Sequence, residues 1–379
     1  MIETISKYKE TTIGKIPEDW KVTKLRNIIK LGNGRDYKHL QVGEIPVYGT
    51  GGIMTYVNDY LFDGKTVGIG RKGSIDKPVL LNGKFWTVDT LFYIKEFFDV
   101  DVDYVFNLFQ SINWMKYNEA TGLPSLSQNN ILNIEIGLPK LDEQKKIAEV
   151  LSTWDKGIQE TGSIIKRLEK RNKALAFSLF QNQNWNNKQL KELFARITDK
   201  NIENNKTVTT ISAKRGFIKQ EDFFNKTVAS EVLTNYYLIN KGDFCYNKSY
   251  SKGYDWGVVK RLNDFEKAVV TTLYICFRLI AKKQNSDFWE LYFSSGILDR
   301  GLSKIAHEGG RAHGLLNVTS GDFFSLKVAV PSLEEQNKIA EILTTANKEL
   351  HQYRQKLDNL KTQKKGLMQQ LLTGKVRTM

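Results

Sequence analysis

Residues 139–156 read PKLDEQKKIAEVLSTWDK, and residues 331–348 read PSLEEQNKIAEILTTANK. The two stretches lie 192 residues apart and share nine identities in their first thirteen positions. A match of this length within one chain indicates a tandem duplication. Each copy then consists of a globular part, a proline and a long helical segment.

Shorter repeats precede this match and keep the same order along the chain. Their separation grows from 165 to 192 residues, as it would if the second copy had gained loop residues. The matched residues are Trp20 with Trp185, Lys72 with Lys248, Thr90 with Thr272, Asp103 with Asp287, and Gly122 with Gly314.

After each proline, apolar residues recur at alternating spacings of three and four, which is the pattern of a coiled-coil seam. In the first copy the seam positions are Ile147, Leu151, Trp154, Ile158, Thr161, Ile165, Leu168, Asn172, Leu175 and Leu179. In the second copy they are Ile339, Leu343, Ala346, Leu350, Tyr353, Leu357, Leu360, Lys364, Leu367 and Leu371. Asn172 and Lys364 are equivalent. A polar residue at one seam position typically fixes the register of the helices or the choice of partner.

The sequence therefore predicts an α+β protein with two mixed α/β domains, residues 1–138 and 183–330. Two long helices, residues 139–182 and 331–379, are expected to separate them and to pair as an antiparallel, pseudo-twofold coiled coil. A seam of about 50 Å, at 1.5 Å per residue, is too long for one small domain to cover. Packing of each helix on its own domain alone remains the other interpretation. Further helices are expected near Tyr104–Tyr117 and Phe288–Ile305, among short strands.

Composition narrows the class of protein. With 41% hydrophobic and 11% aromatic residues, the 379-residue chain can build real cores. Its net charge of +14 fits either a soluble basic protein or one that binds a polyanion. No apolar run approaches the ~20 residues of a membrane span, and the start MIETISKYKE lacks a secretory signal.

No cofactor or catalytic motif stands in a convincing context. Cys245 and Cys276 are far apart in the chain and the four histidines are scattered, so neither a zinc site nor a disulfide framework is expected. Gly68–Gly73 matches G-x-G-x-x-G, but the following SIDKPVLL does not predict a helix. Gly64-Lys65-Thr66 resembles a P-loop end whose first glycine is replaced by Asp59. The carboxylates of Glu143–Glu149 are interpreted as a solvated face paired with lysines.

Several stretches together resemble the specificity subunit of type I restriction-modification enzymes over nearly the whole chain. They are P-x-L-x-E-Q-x-K-I-A-E at Pro139 and Pro331, the terminal KKGLMQQLLTGKVR (364–377), the opening IGKIPEDWKVTKL (13–25), and the loops GRKGS (70–74) and YNKSYSKG (246–253). The resemblance implies that each globular part is a target recognition domain for one half of a bipartite, asymmetric sequence in double-stranded DNA.

The resemblance also implies the partners. The paired helices would dock two methyltransferase subunits, which use S-adenosylmethionine to methylate adenine N6. Restriction subunits would add cleavage that depends on ATP and Mg²⁺. The chain itself would bind no cofactor, would not be an enzyme alone, and would act in the cytoplasm without a membrane partner.

Basic and amide-rich loops that interrupt the strands are the candidate DNA contacts, because such side chains suit phosphates and base edges. For each residue, a solvated surface charge is the competing interpretation. In the first domain they are Arg35, Lys38, His39, Arg71, Lys72, Ser74 and Thr121 to Ser125. In the second they are Lys214, Arg215, Asn247, Lys248, Tyr250, Lys252, Arg311 and His313. Trp20 and Trp185, which open the two domains, are expected to be packing anchors.

Two other functions remain open at this point. The chain could serve a methyltransferase that has no nuclease partner, with the same fold. Alternatively, it could be a coiled-coil adaptor whose basic surface gives only non-specific DNA affinity.

Overall fold

The computed structural model describes residues 7–181, 184–224, 233–251, 253–306 and 314–378. The chain divides into two compact units: unit 1 is residues 1–163 with 354–379, and unit 2 is residues 164–353. The division falls within both long helices, so each unit contains part of each helix.

Unit 1 is built largely from short antiparallel strands. These are β1 (Tyr8–Thr11), β2 (Gly14–Pro17), β3 (Lys21–Lys24), β4 (Ile29–Asn33), β5 (Val42–Gly49), β6 (Gly52–Val57), β7 (Phe62–Asp63), β8 (Thr66–Gly70), β9 (Val79–Leu81), β10 (Lys84–Thr87), β11 (Leu91–Phe97) and β12 (Glu135–Leu138). Its helices are α1 (Val102–Ser111), α2 (Gln128–Leu132) and the start of α3 (Leu141–Phe180), with 3-10 turns at Leu25–Asn27 and Trp114–Tyr117.

Unit 2 follows the same plan. Its strands are β13 (Asn186–Gln189), β14 (Phe194–Ile197), β15 (Thr209–Ser212), β16 (Gly216–Lys219), β17 (Tyr237–Asn240), β18 (Phe244–Asn247), β19 (Val258–Arg261), β20 (Lys267–Val270), β21 (Ile275–Leu279) and β22 (Lys327–Val330). Its helices are α4 (Leu190–Leu193), α5 (Gln220–Phe224), α6 (Ser286–Ser294), α7 (Asp299–Ile305), α8 (Ser320–Ser325) and the first part of α9 (Leu333–Leu371). Across the described ranges, every helix is too short or too polar to cross a membrane.

The duplication is visible in the order of the strands. Unit 1 contains an antiparallel sheet in the order β4-β11-β8-β9, and unit 2 contains one in the order β14-β21-β18-β19. In each unit an early strand pairs with the last one, β3 with β12 and β13 with β22. The α+β prediction is confirmed, and helices lie where they were expected: α1 with a 3-10 turn in unit 1, and α6 and α7 in unit 2.

Each sheet packs against the helix that follows it. In unit 1, Val67 and Ile94 from the sheet share a fully buried core with Tyr104 and Phe109 of α1. In unit 2 the same place is filled by aromatic rings, where Phe194 and Trp289 meet edge to face at 5.4 Å. Burial of these large side chains is the main stabilising contribution to each unit.

In unit 1, the first part of α3 packs antiparallel against the last part of α9. Leu151 of α3 and Leu371 of α9 belong to the same buried cluster as the sheet core. Nearer the middle of the helices, the Lys364 ammonium lies 2.6 and 2.8 Å from the two carboxylate oxygens of Asp155. In unit 1, the start of α3 and the end of α9 therefore contact both the globular part of the unit and each other.

Unit 2 repeats this packing with the remaining halves of the helices. Phe180 of α3 shares a core with Leu343 of α9, and the Asn172 side chain donates to the Ala346 carbonyl at 2.9 Å. Asp155 and Asn347 are equivalent positions in the repeat, so unit 1 has the Lys364–Asp155 ion pair where unit 2 has a neutral amide contact, Asn172 to Asn347 at 3.4 Å. All twenty predicted seam residues are buried or half-buried.

The two cysteines illustrate a contact that sequence distance conceals. Cys245 and Cys276 are cross-strand partners on β18 and β21, and their sulfur atoms lie 3.1 Å apart as free, buried thiols. Burial raises the pKa of the Cys245 thiol well above its ordinary value. Their separation in the chain gave no indication of this proximity, because the strand register creates it.

Candidate nucleic-acid interface

In unit 1, two of the predicted loops pair with each other through the main chain. The amide of Leu126 donates to the Arg71 carbonyl, and the amide of Gly73 donates to the Pro124 carbonyl, both at 2.9 Å. Lys72 and Ser125 form a bridge between the same loops. The structure therefore brings GRKGS and the Thr121–Ser125 segment together, although about fifty residues separate them in the chain.

The basic residues of unit 1 converge on residues 87–90, which are the last residue of β10 and its connection to β11. The Arg35 amide donates to the Thr87 carbonyl at 2.8 Å, and the Arg71 amide donates to the Thr90 carbonyl at 2.7 Å. Arg35, Arg71 and Lys72 are all exposed. These contacts hold positive side chains at the surface around a fixed backbone segment.

Lys38 and His39 lie on the loop that joins β4 and β5. Both are exposed, and the His39 ring packs edge to face on Trp86 with the centroids 5.8 Å apart. The Trp86 indole in turn donates to the Arg35 carbonyl at 2.8 Å. Trp86 therefore ties this loop to the end of β10.

Unit 2 pairs its corresponding loops in the same way. The amide of Leu316 donates to the Lys248 carbonyl at 2.9 Å, and the amide of Tyr250 donates to the Gly314 carbonyl at 2.8 Å. Tyr250 is exposed, as are Lys214 and Arg215 on the turn between β15 and β16. Lys252, Arg311 and His313 lie outside the described residues.

Several of the polar candidate residues form hydrogen bonds within their own loops. The Asn247 side-chain oxygen accepts from the Ser249 amide at 3.0 Å, and the Ser125 amide donates to the Asn118 side chain at 2.9 Å.

Lys248 is half-buried, with its ammonium 3.4 Å from the Val318 carbonyl, and burial lowers its pKa. Ser74 is also half-buried, whereas Thr121 is exposed. Lys72 is therefore the freer of the two matched lysines.

The repeated P-x-L-x-E-Q motif attaches each long helix to its domain. In unit 1 the Gln144 side chain accepts from the Asp101 amide and donates to the Pro139 carbonyl, both at 2.9 Å. In unit 2 Gln336 makes the same two contacts, with the Asn285 amide at 2.8 Å and with the carbonyl of the motif's proline at 3.0 Å. Both amides are buried, so neither hydrogen bond competes with water.

The prediction of a solvated, lysine-paired face at Glu143–Glu149 was wrong for the glutamate of this motif. Glu143 is not on a solvated face: it is 2% exposed, accepts from the Trp20 indole at 3.1 Å, and forms an ion pair with Arg377. In unit 2 the Trp185 indole donates to Glu335 at 3.4 Å. The two tryptophans are buried anchors, as predicted. The Trp–Glu separation is 123 residues in unit 1 and 150 in unit 2, so only the presence of both residues in each copy hinted at the contact.

The glycine-rich run Gly68–Gly73 does not form a nucleotide-binding turn. It ends β8 and leads through a tight loop to β9, rather than into a helix N-terminus. A methyl group on Gly70 would lie 2.3 Å from the Ser74 carbonyl oxygen, so the glycine permits the tight loop. Among the described residues, no group of three or more His, Cys, Asp or Glu side chains is placed to hold a metal ion.

Comparison with known proteins agrees with this architecture. The model of the type I restriction modification DNA specificity domain matches residues 17–170 and again residues 182–362. The specificity subunit of the MjaVIII type I restriction enzyme of Methanocaldococcus jannaschii is 24% identical, over 98% of this chain and 96% of that protein. A putative type I specificity subunit of Mycoplasma pneumoniae is 30% identical, over 45% of this chain and 60% of that protein.

The fold is also that of a solved relative. The crystal structure of a type I restriction-modification S subunit from M. genitalium matches with a TM-score of 0.57 and 16% identity, over 93% of this chain and 96% of that one. The family model matches each half of the chain, and the M. jannaschii relative matches nearly its whole length. This chain belongs to the family of specificity subunits of type I restriction-modification systems.

Proposed function

We propose that this chain is the non-catalytic subunit that selects the DNA sequence for a type I restriction-modification complex. Each unit reads one half of a bipartite, asymmetric target in double-stranded DNA. The observation that carries the proposal is the pairing of equivalent loops in both units, which present different side chains beside the same type of sheet. A shared frame with different loop residues is what two unlike half-sites require.

The partners supply the chemistry in this proposal. The helices dock two methyltransferase subunits, which bind S-adenosylmethionine and methylate adenine N6. Restriction subunits add cleavage with ATP and Mg²⁺. This chain's contribution is to hold basic and polar side chains against the duplex. The tight loop after β8, which carries exposed Arg71 and Lys72, supports this role.

The isolated chain should neither methylate nor cut DNA under any cofactor condition. Its proposed site contains loops that can bind phosphates and bases, and the activities are assigned to other subunits. The measurement is incorporation of labelled methyl groups from S-adenosylmethionine by the rigorously purified chain, with the reconstituted complex as the positive control. Methyl transfer by the single chain would refute its non-catalytic role.

Changing Lys72 to Ala should weaken DNA binding by the reconstituted complex. If Lys72 holds a phosphate, affinity falls equally for all sequences and the slope of log K against log salt drops by about one. If it reads a base, about 1–3 kcal/mol of discrimination is lost at one position. Lys248→Ala should have a related effect in the other half-site, together with some loosening of its half-buried loop.

The matched control is Lys15→Ala. Lys15 is also exposed on unit 1, but it pairs with Glu10 within the β1–β2 hairpin, which is not part of the paired loops. Its removal should leave binding unchanged. Equal affinity of wild type and Lys72→Ala at every salt concentration would show that these loops do not face DNA.

A further inference from the structure

The β5–β6 hairpin of unit 1 exposes two adjacent apolar side chains beside its turn. Ile53 is 50% exposed and Met54 is 58% exposed. The strand register shifts between Val47 and Tyr48, so Met54 has no residue opposite it and is the extra residue of a β-bulge. Bulges re-aim side chains and occur often beside functional sites.

This apolar pair lies next to the basic surface of unit 1. A methyl group on Gly49 would lie 2.7 Å from the Met54 sulfur and 3.6 Å from Val88, which belongs to the β10–β11 connection. A methyl group on Gly73, in the Arg71–Lys72 loop, would lie 3.5 Å from the Thr50 hydroxyl. The hairpin turn therefore borders the same connection that holds Arg35 and Arg71.

The turn is also open on its outer side. Methyl groups on Gly51 and Gly52 would meet no atom within 4 Å, and Gly52 has a φ of +112°, which favours glycine. The Gly51–Gly52 pair has no side chains and therefore permits close approach of another molecule to the backbone. The surrounding cations make a polyanion the complementary partner for this surface.

Resting on the proposed function, we infer that Ile53 and Met54 are specificity-determining residues that contact the 5-methyl group of thymine in the major groove. The thymine methyl is the apolar group that base edges present in that groove, and apolar side chains recognise it. Arginine and lysine beside the hairpin hold the flanking phosphates, and the bulge turns Met54 outward between them.

The corresponding turn of unit 2 has a different character. There the turn from β15 to β16 carries exposed Lys214 and Arg215, which suit phosphates or guanine. The inferred thymine contact therefore belongs to the half-site of unit 1.

The test uses the reconstituted methyltransferase complex and its target duplex, mapped first by methylation sequencing. Each thymine of the unit 1 half-site is replaced in turn by deoxyuridine, which lacks only the methyl group. A buried methyl contributes about 0.8 kcal/mol, and 1.4 kcal/mol is tenfold in affinity, so one replacement should weaken wild-type binding about fourfold. Met54→Ala or Ile53→Ala should bind the two duplexes equally.

Val42→Ala is the matched control. Val42 lies on the same hairpin, pairs with Val57 at the end away from the turn, and is 91% exposed. This variant should keep the fourfold discrimination. Because all three side chains are exposed, the unfolding midpoints of the variants should match that of wild type.

Three results would overturn the inference: a half-site without thymine, wild-type binding that is indifferent to every deoxyuridine, or full discrimination by both alanine variants. Loss of methyltransferase assembly with unchanged discrimination would assign the hairpin to a protein contact instead. The Lys72→Ala result separates these outcomes from failure of the proposed function, because Lys72 can affect DNA binding whether or not the hairpin does.

Discussion

Replacing residues 183–330 with the same segment of a relative that has a different target should change one half-site completely and leave the other unchanged. In the proposed function each unit reads its own half of the target. The replaced segment contains all the strands of unit 2 and the loops that hold Lys214 and Lys248. The loops of unit 1 remain as they are.

The strand pairing favours these boundaries. The first and last strands of the segment, β13 and β22, pair from Asn186–Val330 to Gln189–Lys327, so the two junctions are adjacent. A donor segment therefore brings all the strands that pair with one another in this unit. It must also keep Trp185 and a residue at position 285 whose amide meets Gln336, because these contacts attach the domain to α9.

Methylation-aware sequencing of DNA modified by the reconstituted hybrid gives the result directly. Reciprocal replacement of the globular part of unit 1 is the control and should change only the other half-site. If either hybrid altered both half-sites, the two units would not be independent readers.

The fold was largely predictable because the sequence contains two similar copies of the same arrangement. The 192-residue repeat located both helices, and their three-four periodicity identified a seam whose residues are buried or half-buried. Periodicity also allowed two interpretations of the helices, packing on the domain or on each other. The two interpretations do not exclude each other. Within unit 1, Leu151 and Leu371 lie in one buried cluster that includes both the sheet core and the contact between the helices.

The candidate interface was predictable only as separate loops. Arg35 and Arg71 come together because both donate main-chain hydrogen bonds to residues 87–90, and such pairing depends on strand register. Likewise, the bulge that turns Met54 outward leaves no periodic signal. The buried state of Glu143 was missed for a related reason, since its partner Arg377 is 234 residues away.

The contacts of Arg377 determine where the segment after α9 lies. The Arg377 side chain is buried and donates two hydrogen bonds to Glu143 and two to Asp19, the latter at 2.7 and 2.9 Å. Gly374 precedes it with a φ of +71°, and a methyl group there would lie 2.5 Å from Pro17. The terminal motif thus fastens the segment after α9 to the opening of unit 1.

Arg377→Ala should destabilise unit 1 by about 3–5 kcal/mol, because it leaves the buried Glu143 carboxylate without its cation. The effect should depend on pH. Hydrogen bonding from Arg377 lowers the pKa of Asp19 below its ordinary value of 3.8, against a smaller opposing effect of burial. A lowered folded-state pKa gives stability that is present above the unfolded value and is lost as pH falls through the folded one. The gap between wild type and variant should therefore narrow below about pH 4.

Urea unfolding at several pH values, with hydrogen exchange of peptides from residues 13–25, measures this effect within unit 1. Lys15→Ala, which removes an exposed ion pair of the same unit, should cost less than about 1 kcal/mol. Asp19→Asn in the wild-type background should remove most of the acid dependence while keeping the Arg377–Glu143 pair. A small, pH-independent loss for Arg377→Ala would mean that packing of the terminal segment, rather than its buried charges, holds it in place.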